Sequence, residues 1–278
     1  MRMKRELKAY LFLAPALILS VTFFILPFLR SFVSSFLKIS QSGRILGFAG
    51  LGNYASILGN EYFIRSVLHT FAFAIVFVPL NALITLSAAA LTRSGKHPVS
   101  EIVFFSPLAF SLSALALTMK QIFRGKVSII NRITGLGISW LSDSVSAMAV
   151  IVILGIFLDF ALDYMILYAS FRSIDRRIIE AAELDGASGA QILMRIELPL
   201  IMPAFAAIVF LSVKDALLIN APVMILTEGG PFRSTETIMY YYYLEAFKSG
   251  NRAAESVISV IMTLSSAALM AIAGRRRK

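Results

Sequence analysis

Apolar positions in this chain fall in long unbroken blocks. They do not form the one-sided stripe of a soluble helix or the strict alternation of a half-buried strand. Six blocks reach the roughly 20 residues a helix needs to cross a bilayer: about 9–29, 67–91, 102–123, 147–171, 199–226 and 256–273. Membrane-barrel strands need only about 9–11 alternating residues, so the pattern predicts an all-α membrane protein with six transmembrane helices and a single domain over 1–278. The first block follows a basic head, Met1–Lys8, but runs past Leu19 to Leu29 without a small-residue cleavage site. It therefore reads as an uncleaved span, not a signal peptide. Pro15, Pro27, Pro79, Pro107, Pro203 and Pro222 punctuate the blocks. They predict kinks in a packed bundle or broken helices around a transport path.

Composition agrees. Hydrophobic residues make up 58% of the 278 and charged residues 15%, against about 45–50% and about 25% in soluble domains. Disorder and an ordinary soluble enzyme are excluded. Cysteine is absent, and the two histidines, His69 and His97, are far apart. The expected metal content is none. The net charge of +10 sits at block ends and not in a nucleic-acid-binding patch. It points to membrane lipid as the partner, with no nucleic acid.

Charge also predicts orientation. Six spans put both termini on one side. That side holds Arg2, Lys4, Arg5 and Lys8 in the head and Arg275, Arg276, Arg277 and Lys278 in the tail. It also holds Arg93 and Lys96 in the second loop and Arg172, Arg176, Arg177 and Arg195 in the fourth. The bias is mild but close to the span ends, so both termini are expected in the cytoplasm. Outer loops then cover about 38–66, 124–146 and 227–255, the last with Tyr240–Tyr243 at headgroup depth or packed in an outer helix.

The fourth loop, about 172–198, is the most informative stretch. Ser173 or Asp175 can cap a helix that runs to Leu184, and Gly186 can end it in the left-handed conformation. Ser188 can start a second helix that Pro199 limits. Its residues also form a spaced motif: Glu180-Ala181-Ala182, then Gly186, then Ile196, Leu198 and Pro199. This resembles the EAA loop of permease subunits of ATP-binding-cassette importers. Tyr10-Leu-Phe-Leu-Ala-Pro15 resembles the opening of sugar-type permeases, and Gly50-Leu-Gly-Asn-Tyr54 their "GLxNY" element. Trp140-Leu-Ser-Asp143 resembles their "WL-D" segment. Thr227-Glu-Gly-Gly-Pro231 followed by Ser234-Thr-Glu-Thr237 resembles their "TGGGP…T-T" segment. The likeness is to the first membrane subunits of maltose and glycerol-3-phosphate importers.

The resemblance implies a MetI-like fold in the bacterial inner membrane. It also implies a sister permease subunit, two ATPase subunits and an extracytoplasmic solute-binding protein, with a carbohydrate or related polar solute. The coupling residues would be Glu180, Ala181, Ala182, Asp185, Gly186, Ile196, Leu198 and Pro199. Glu180 and Asp185 would make the charged contacts with the ATPase. The chain has no GxxxxGK[ST] loop, and Gly95-Lys96 lacks the upstream glycine. It is therefore expected to be no enzyme and to bind no cofactor, with ATP and magnesium on the partner ATPase.

Charges also fall inside the blocks. Asp159 and Asp163 are one helical turn apart in span four, and Lys214, Asp215 and Asn220 lie in span five. An unpaired charge at this depth costs about 2.5–3.5 kcal/mol, so Lys214 is expected near Asp159 or Asp163. The group lines a translocation path or forms a structural ion pair. Lys120 is expected to snorkel. The family's "WKxxGxN" stretch is replaced by 157–163 and its aromatic–Gln stretch by 217–221. Faces that stack on sugar rings are thus missing; three acids against one lysine suit a cationic or amino-bearing solute, or alternatively the sister permease holds the solute. Two rivals carry other predictions. An ATP-independent secondary transporter or channel would use these charges but leave the EAA loop unexplained. A membrane-embedded enzyme would need a constellation that two isolated histidines do not supply.

Overall fold

The computed structural model describes residues 12–94, 98–126 and 128–275. Arg2, Lys4, Arg5, Lys8, Tyr10, the Gly95-Lys96 pair, His97, Arg276, Arg277 and Lys278 lie outside them, as does the beginning of the first predicted span.

In chain order the elements are α1 (Phe12–Ser34), with a π-wound stretch at Val21–Ile25, then β1 (Leu37–Ile39), β2 (Ile45–Phe48), α2 (Gly52–Leu58) and α3 (Glu61–Thr92). Next come α4 (Pro98–Phe105), a 3-10 turn at Ser106–Ala109, α5 (Leu112–Ile122), α6 (Ile129–Thr134) and α7 (Ser144–Arg172). The chain continues with α8 (Arg176–Leu184), α9 (Gly189–Leu217), π-wound at Leu193–Glu197, and α10 (Ala221–Leu226). It ends with α11 (Ile238–Tyr243), a π stretch at Leu244–Lys248, and α12 (Arg252–Arg275). Among the described residues five helices are long and apolar enough to cross a membrane, and a bent pair makes a sixth when counted as one span.

The bent pair is the third predicted span. Block 102–123 is not one helix: Ile102–Ala109 and Leu112–Ile122 meet at 103°. Pro107 lacks a donor and sits in the 3-10 turn, Phe110 is extended, and Ser111 restarts the chain by accepting from the Ala114 N–H. The fifth block also differs. The helix starts at Gly189, stops at Leu217 and resumes at Ala221, with Leu218–Asn220 off helical geometry. Pro199 does not limit the loop's second helix. The preceding turn is π-wound, with Leu198 N–H bonded to the Leu193 carbonyl. The proline therefore enters in the first α-helical turn, where its missing donor is not needed.

The described parts of Met1–Ile64 and Tyr241–Lys278 form one compact unit and Arg65–Tyr240 the other. In the first, α1, α2 and β1 pack on α12, and β1 pairs antiparallel with β2. The Gly50–Tyr54 element closes this unit: Asn53 donates to the carbonyls of Ser35 (2.8 Å) and Leu37 (2.9 Å), and Tyr54 Oη meets Ser35 Oγ at 2.8 Å.

The second unit is built on α7. Asp143 caps it by accepting from the N–H groups of Val145 and Ser146. Those bonds, with that from the Ser146 hydroxyl, hold the exposed Asp143 carboxyl below its ordinary 3.8. Here Asp143 and Trp140 of the "WL-D" segment work together: Trp140 Nε1 donates to Asn131 Oδ1 at 2.7 Å, and the Trp140 carbonyl accepts from Ser146 Oγ. Around α7 pack α4, the 3-10 turn, α5, α9 and α10. Gly155 admits the rings of Phe73 and Phe77; a Cβ there would stand 3.1 Å from Phe77. Below it Tyr164 is fully buried among Phe104, Phe105 and Phe160, its hydroxyl 2.8 Å from Thr92 Oγ1.

Candidate functional site

The fourth loop carries a short helix, α8, capped at both ends. Asp175, not Ser173, is the cap of α8, accepting from the Arg177 N–H. The Arg177 side chain hydrogen-bonds back, and it is this contact first and the backbone bond second that hold the Asp175 carboxyl below its ordinary 3.8. At the other end Gly186 has φ +81°. Its N–H donates to the Glu183 carbonyl and the Ala187 N–H to the Ala182 carbonyl, both at 3.0 Å. This is the left-handed helix stop expected for glycine. Ser188 starts α9 with a reciprocal capping box to Gln191.

Between these stops the motif residues stand out. Glu180, Ala181, Asp185 and Gly186 are exposed and Ala182 is partly so; Leu184 is 90% exposed and Ile178 45%. Among the described residues Glu180 is paired with Arg176, one turn back on the same helix. Ile196 and Leu198 are half-buried, Pro199 is exposed, and all three lie at or after the π turn, not on α8. A cleft of about 280 Å3 lined by Asp185, Gly186, Gln191, Arg195 and Ile196 separates the two halves of the loop.

The intramembrane charges divide into two sets. Asp163 is 3% exposed, and its Oδ2 accepts from Asn81 Nδ2 of α3 at 2.7 Å and from Ser212 Oγ of α9 at 3.4 Å. Asn81 also donates to Ser212 Oγ at 3.0 Å. Three spans are thus tied by one buried polar cluster. Asn81 was not singled out from sequence, although a lone amide in the apolar block 67–91 is the signal that marks it.

The second set is more open. Lys214 Nζ lies 2.8 Å from Asp215 Oδ1, with the two side chains 44% and 39% exposed. The expected pairing of Lys214 with Asp159 or Asp163 is therefore replaced by a pairing with its neighbour. Asp159 is half-buried, one turn from Asp163. Asn220 sits at the break between α9 and α10, its Oδ1 buried with no hydrogen-bond partner among the described residues. Lys120 does not snorkel. Its Nζ donates to the Ile225 carbonyl of α10 at 2.7 Å, with Glu228 at 3.7 Å.

The Thr227–Thr237 segment is a braced loop. Thr235 Oγ1 donates to the Gly230 carbonyl and lies 2.8 Å from Thr227 Oγ1, and Thr237 Oγ1 donates to the Ile219 carbonyl. Tyr240 is buried over Gly229, where a Cβ would come within 2.8 Å of its ring. Tyr240 and Tyr241 are thus packing residues of α11, not headgroup anchors.

Residues 97–278 match the family described as "Binding-protein-dependent transport system inner membrane component". The chain belongs to this family. Its curated relatives include the sn-glycerol-3-phosphate transport system permease protein UgpA of Pectobacterium atrosepticum, 26% identical over 266 residues, covering 92% of this chain and 90% of that protein. UgpA of Escherichia coli O157:H7 is 28% identical over 260 residues, covering 91% and 88%. Among solved structures, a chain of a bacterial ABC transporter involved in the import of the acidic polysaccharide alginate superposes with TM-score 0.84 at 17% identity, over 99% of this chain and 96% of that one. A second chain comes from the bacterial alginate ABC transporter in complex with an alginate pentasaccharide-bound periplasmic protein; it gives 0.83, also at 17%. The fold is thus that of inner-membrane transport components, and the six-span all-α expectation holds with one span bent.

Proposed function

We propose that this chain is a permease subunit of an ATP-binding-cassette importer, acting as a single permease domain and forming half of the path for a carbohydrate or related polar solute. The family match and the relatives' names support the transport role and the solute class. The observation that carries the coupling role is α8: a short helix stopped at both ends by its own residues, with its small-residue and apolar side uncovered. In this reading Ala181 and Ala182 let a partner ATPase approach closely, Glu180 and Asp185 supply its charged contacts, and Gly186 sets the turn. Ile196, Leu198 and Pro199 continue the segment into the membrane.

The partners are a sister permease, two ATPase subunits that bind ATP and magnesium, and an extracytoplasmic solute-binding protein. Both termini and α8 face the cytoplasm. Closure of the ATPases moves α8, and the spans switch between two arrangements. The test is a mild-detergent pull-down of the tagged chain. A second six-span protein and an ATPase are expected with it, and both are lost when Glu180–Gly186 is scrambled. Recovery of the chain alone from wild-type membranes refutes the reading.

For the path itself, the more open Asp159, Lys214 and Asp215 face the solute, Asn220 lies at the helix break with its Oδ1 buried, and Asp163 supports the set from behind through α3 and α9. A helix broken at Leu218–Asn220 fits such a site, because irregular backbone at membrane depth is tolerated where it lines a cavity. The chain has no cysteine, so this is testable by labelling. In the assembled complex, Asp159→Cys is expected to react with a small water-soluble thiosulfonate at least about tenfold faster than Asp163→Cys, whose side chain is sealed in the three-span cluster. Equal rates remove Asp159 from the path.

A further inference from the structure

One charge pair joins the end of α3 to the coupling segment. Arg93 follows the last turn of α3, and its Nε lies 2.7 Å from Glu197 Oε2. Its Nη1 also donates to the Ala90 carbonyl at 2.6 Å, which fixes the guanidinium to its own helix. Glu197 is 4% exposed and closes the π stretch Leu193–Glu197. A carboxylate this buried needs a counter-charge. Among the described residues Arg93 is the cation that meets it. The contact lies off the N–H axis, since Oε2 accepts no hydrogen bond of good geometry. It is therefore a charge pairing rather than an aligned hydrogen bond.

The location gives the pair its meaning. Displacement of α8 enters α9 through the Gly186 turn and the Ser188 capping box, and it meets the π stretch before the membrane part of α9. π turns are places where helices kink. Leu193 and Leu198 pack this stretch on the buried cluster, and the ion pair adds a charged attachment to that apolar one. Ala88, Ala89 and Ala90 at the end of α3 are buried against the Tyr164, Leu167 and Ile201 cluster, so a pull on Arg93 acts on a packed helix and not on a loose loop.

We infer that the Arg93–Glu197 pair makes the end of α3 follow the coupling segment, with both groups as positioning residues in the conversion of ATPase closure into movement of the spans. This rests on the coupling role proposed above. The test uses the assembled complex in lipid nanodiscs, with spin labels on the otherwise cysteine-free chain. Val145→Cys at the far end of α7 is the reference, paired with Met194→Cys in the π stretch or with Ser94→Cys beside Arg93. All three positions are exposed. Pulsed dipolar distances are read without nucleotide and after trapping with magnesium, ATP and vanadate.

In the parent, both distances are expected to shift by about 2 Å or more. In Arg93→Ala, and in the near-isosteric Glu197→Gln, the Met194 distance still shifts but the Ser94 distance keeps its nucleotide-free value. The exchange Arg93→Glu with Glu197→Arg restores the Ser94 shift. The inference falls if the Ser94 distance shifts in the single variants, or does not shift in the parent while Met194 does. It falls too if the single variants fail to assemble and the exchange does not rescue them, since the pair is then only structural. A parent that hydrolyses ATP with no shift at Met194 refutes the coupling role itself, a separate result.

Discussion

Gly186→Val in the tagged chain is expected to lower the recovery of the ATPase about tenfold, with the chain itself still inserted. At φ +81° the position demands the left-handed region. A Cβ there would meet no atom within 4 Å, so steric crowding by neighbours contributes nothing. The penalty lies in the backbone: about 1–2 kcal/mol for a residue with a Cβ, and more for a β-branched one. That energy is comparable to the two capping bonds that the turn makes to Ala182 and Glu183. The last turn of α8 therefore unwinds rather than accept the strain, and its exposed face loses register with the partner. Gly186→Asn is the control. Asparagine tolerates the left-handed region better, so its recovery should fall between glycine and valine. Wild-type recovery with valine would mean that the turn does not present α8 to anything.

Asn81→Leu is the second large effect, and its target is stability. The substitution removes the 2.7 Å donor from Asp163 and leaves a 3%-exposed carboxyl with, among the described residues, the long 3.4 Å contact from Ser212. An orphaned buried polar group costs about 1–3 kcal/mol, and more when charged. The thermal midpoint of the purified protein in detergent is expected to drop clearly. Adding Asp163→Leu should recover most of the loss, because an apolar pair of similar size needs no partner in that place. If the double variant is no more stable than Asn81→Leu, the two side chains do not depend on each other. If Asn81→Leu has no effect, the three-span cluster is not what holds α3 to α7 and α9.

The loop over 172–198 was legible from sequence because its structure is local. A carboxylate two residues before a backbone N–H, a glycine where the chain must turn left-handed and a serine three residues before a glutamine each act over one turn of helix. Asp175, Gly186 and Ser188 therefore behave as their residue types require. Pro199 did not, because the π turn before it depends on how α9 continues into the bundle, not on the proline.

The apolar blocks also sufficed to count the spans, since their length against the bilayer is a property of sequence alone. Azimuth is different. Lipid is as apolar as a protein core, so α7 carries no stripe to mark its buried side. Which face turns inward is set by close approach at Gly155 to Phe73 and Phe77, and by the fit of Tyr164 among its rings. That rotation points Asp163 at Asn81 and Ser212, 82 and 49 residues away, and leaves Asp159 and Lys214 on more open ground. The same holds for Arg93 and Glu197. The residue types promised that buried charges would find partners; the identity of each partner follows from helix packing, which depends on contacts between residues far apart in the chain.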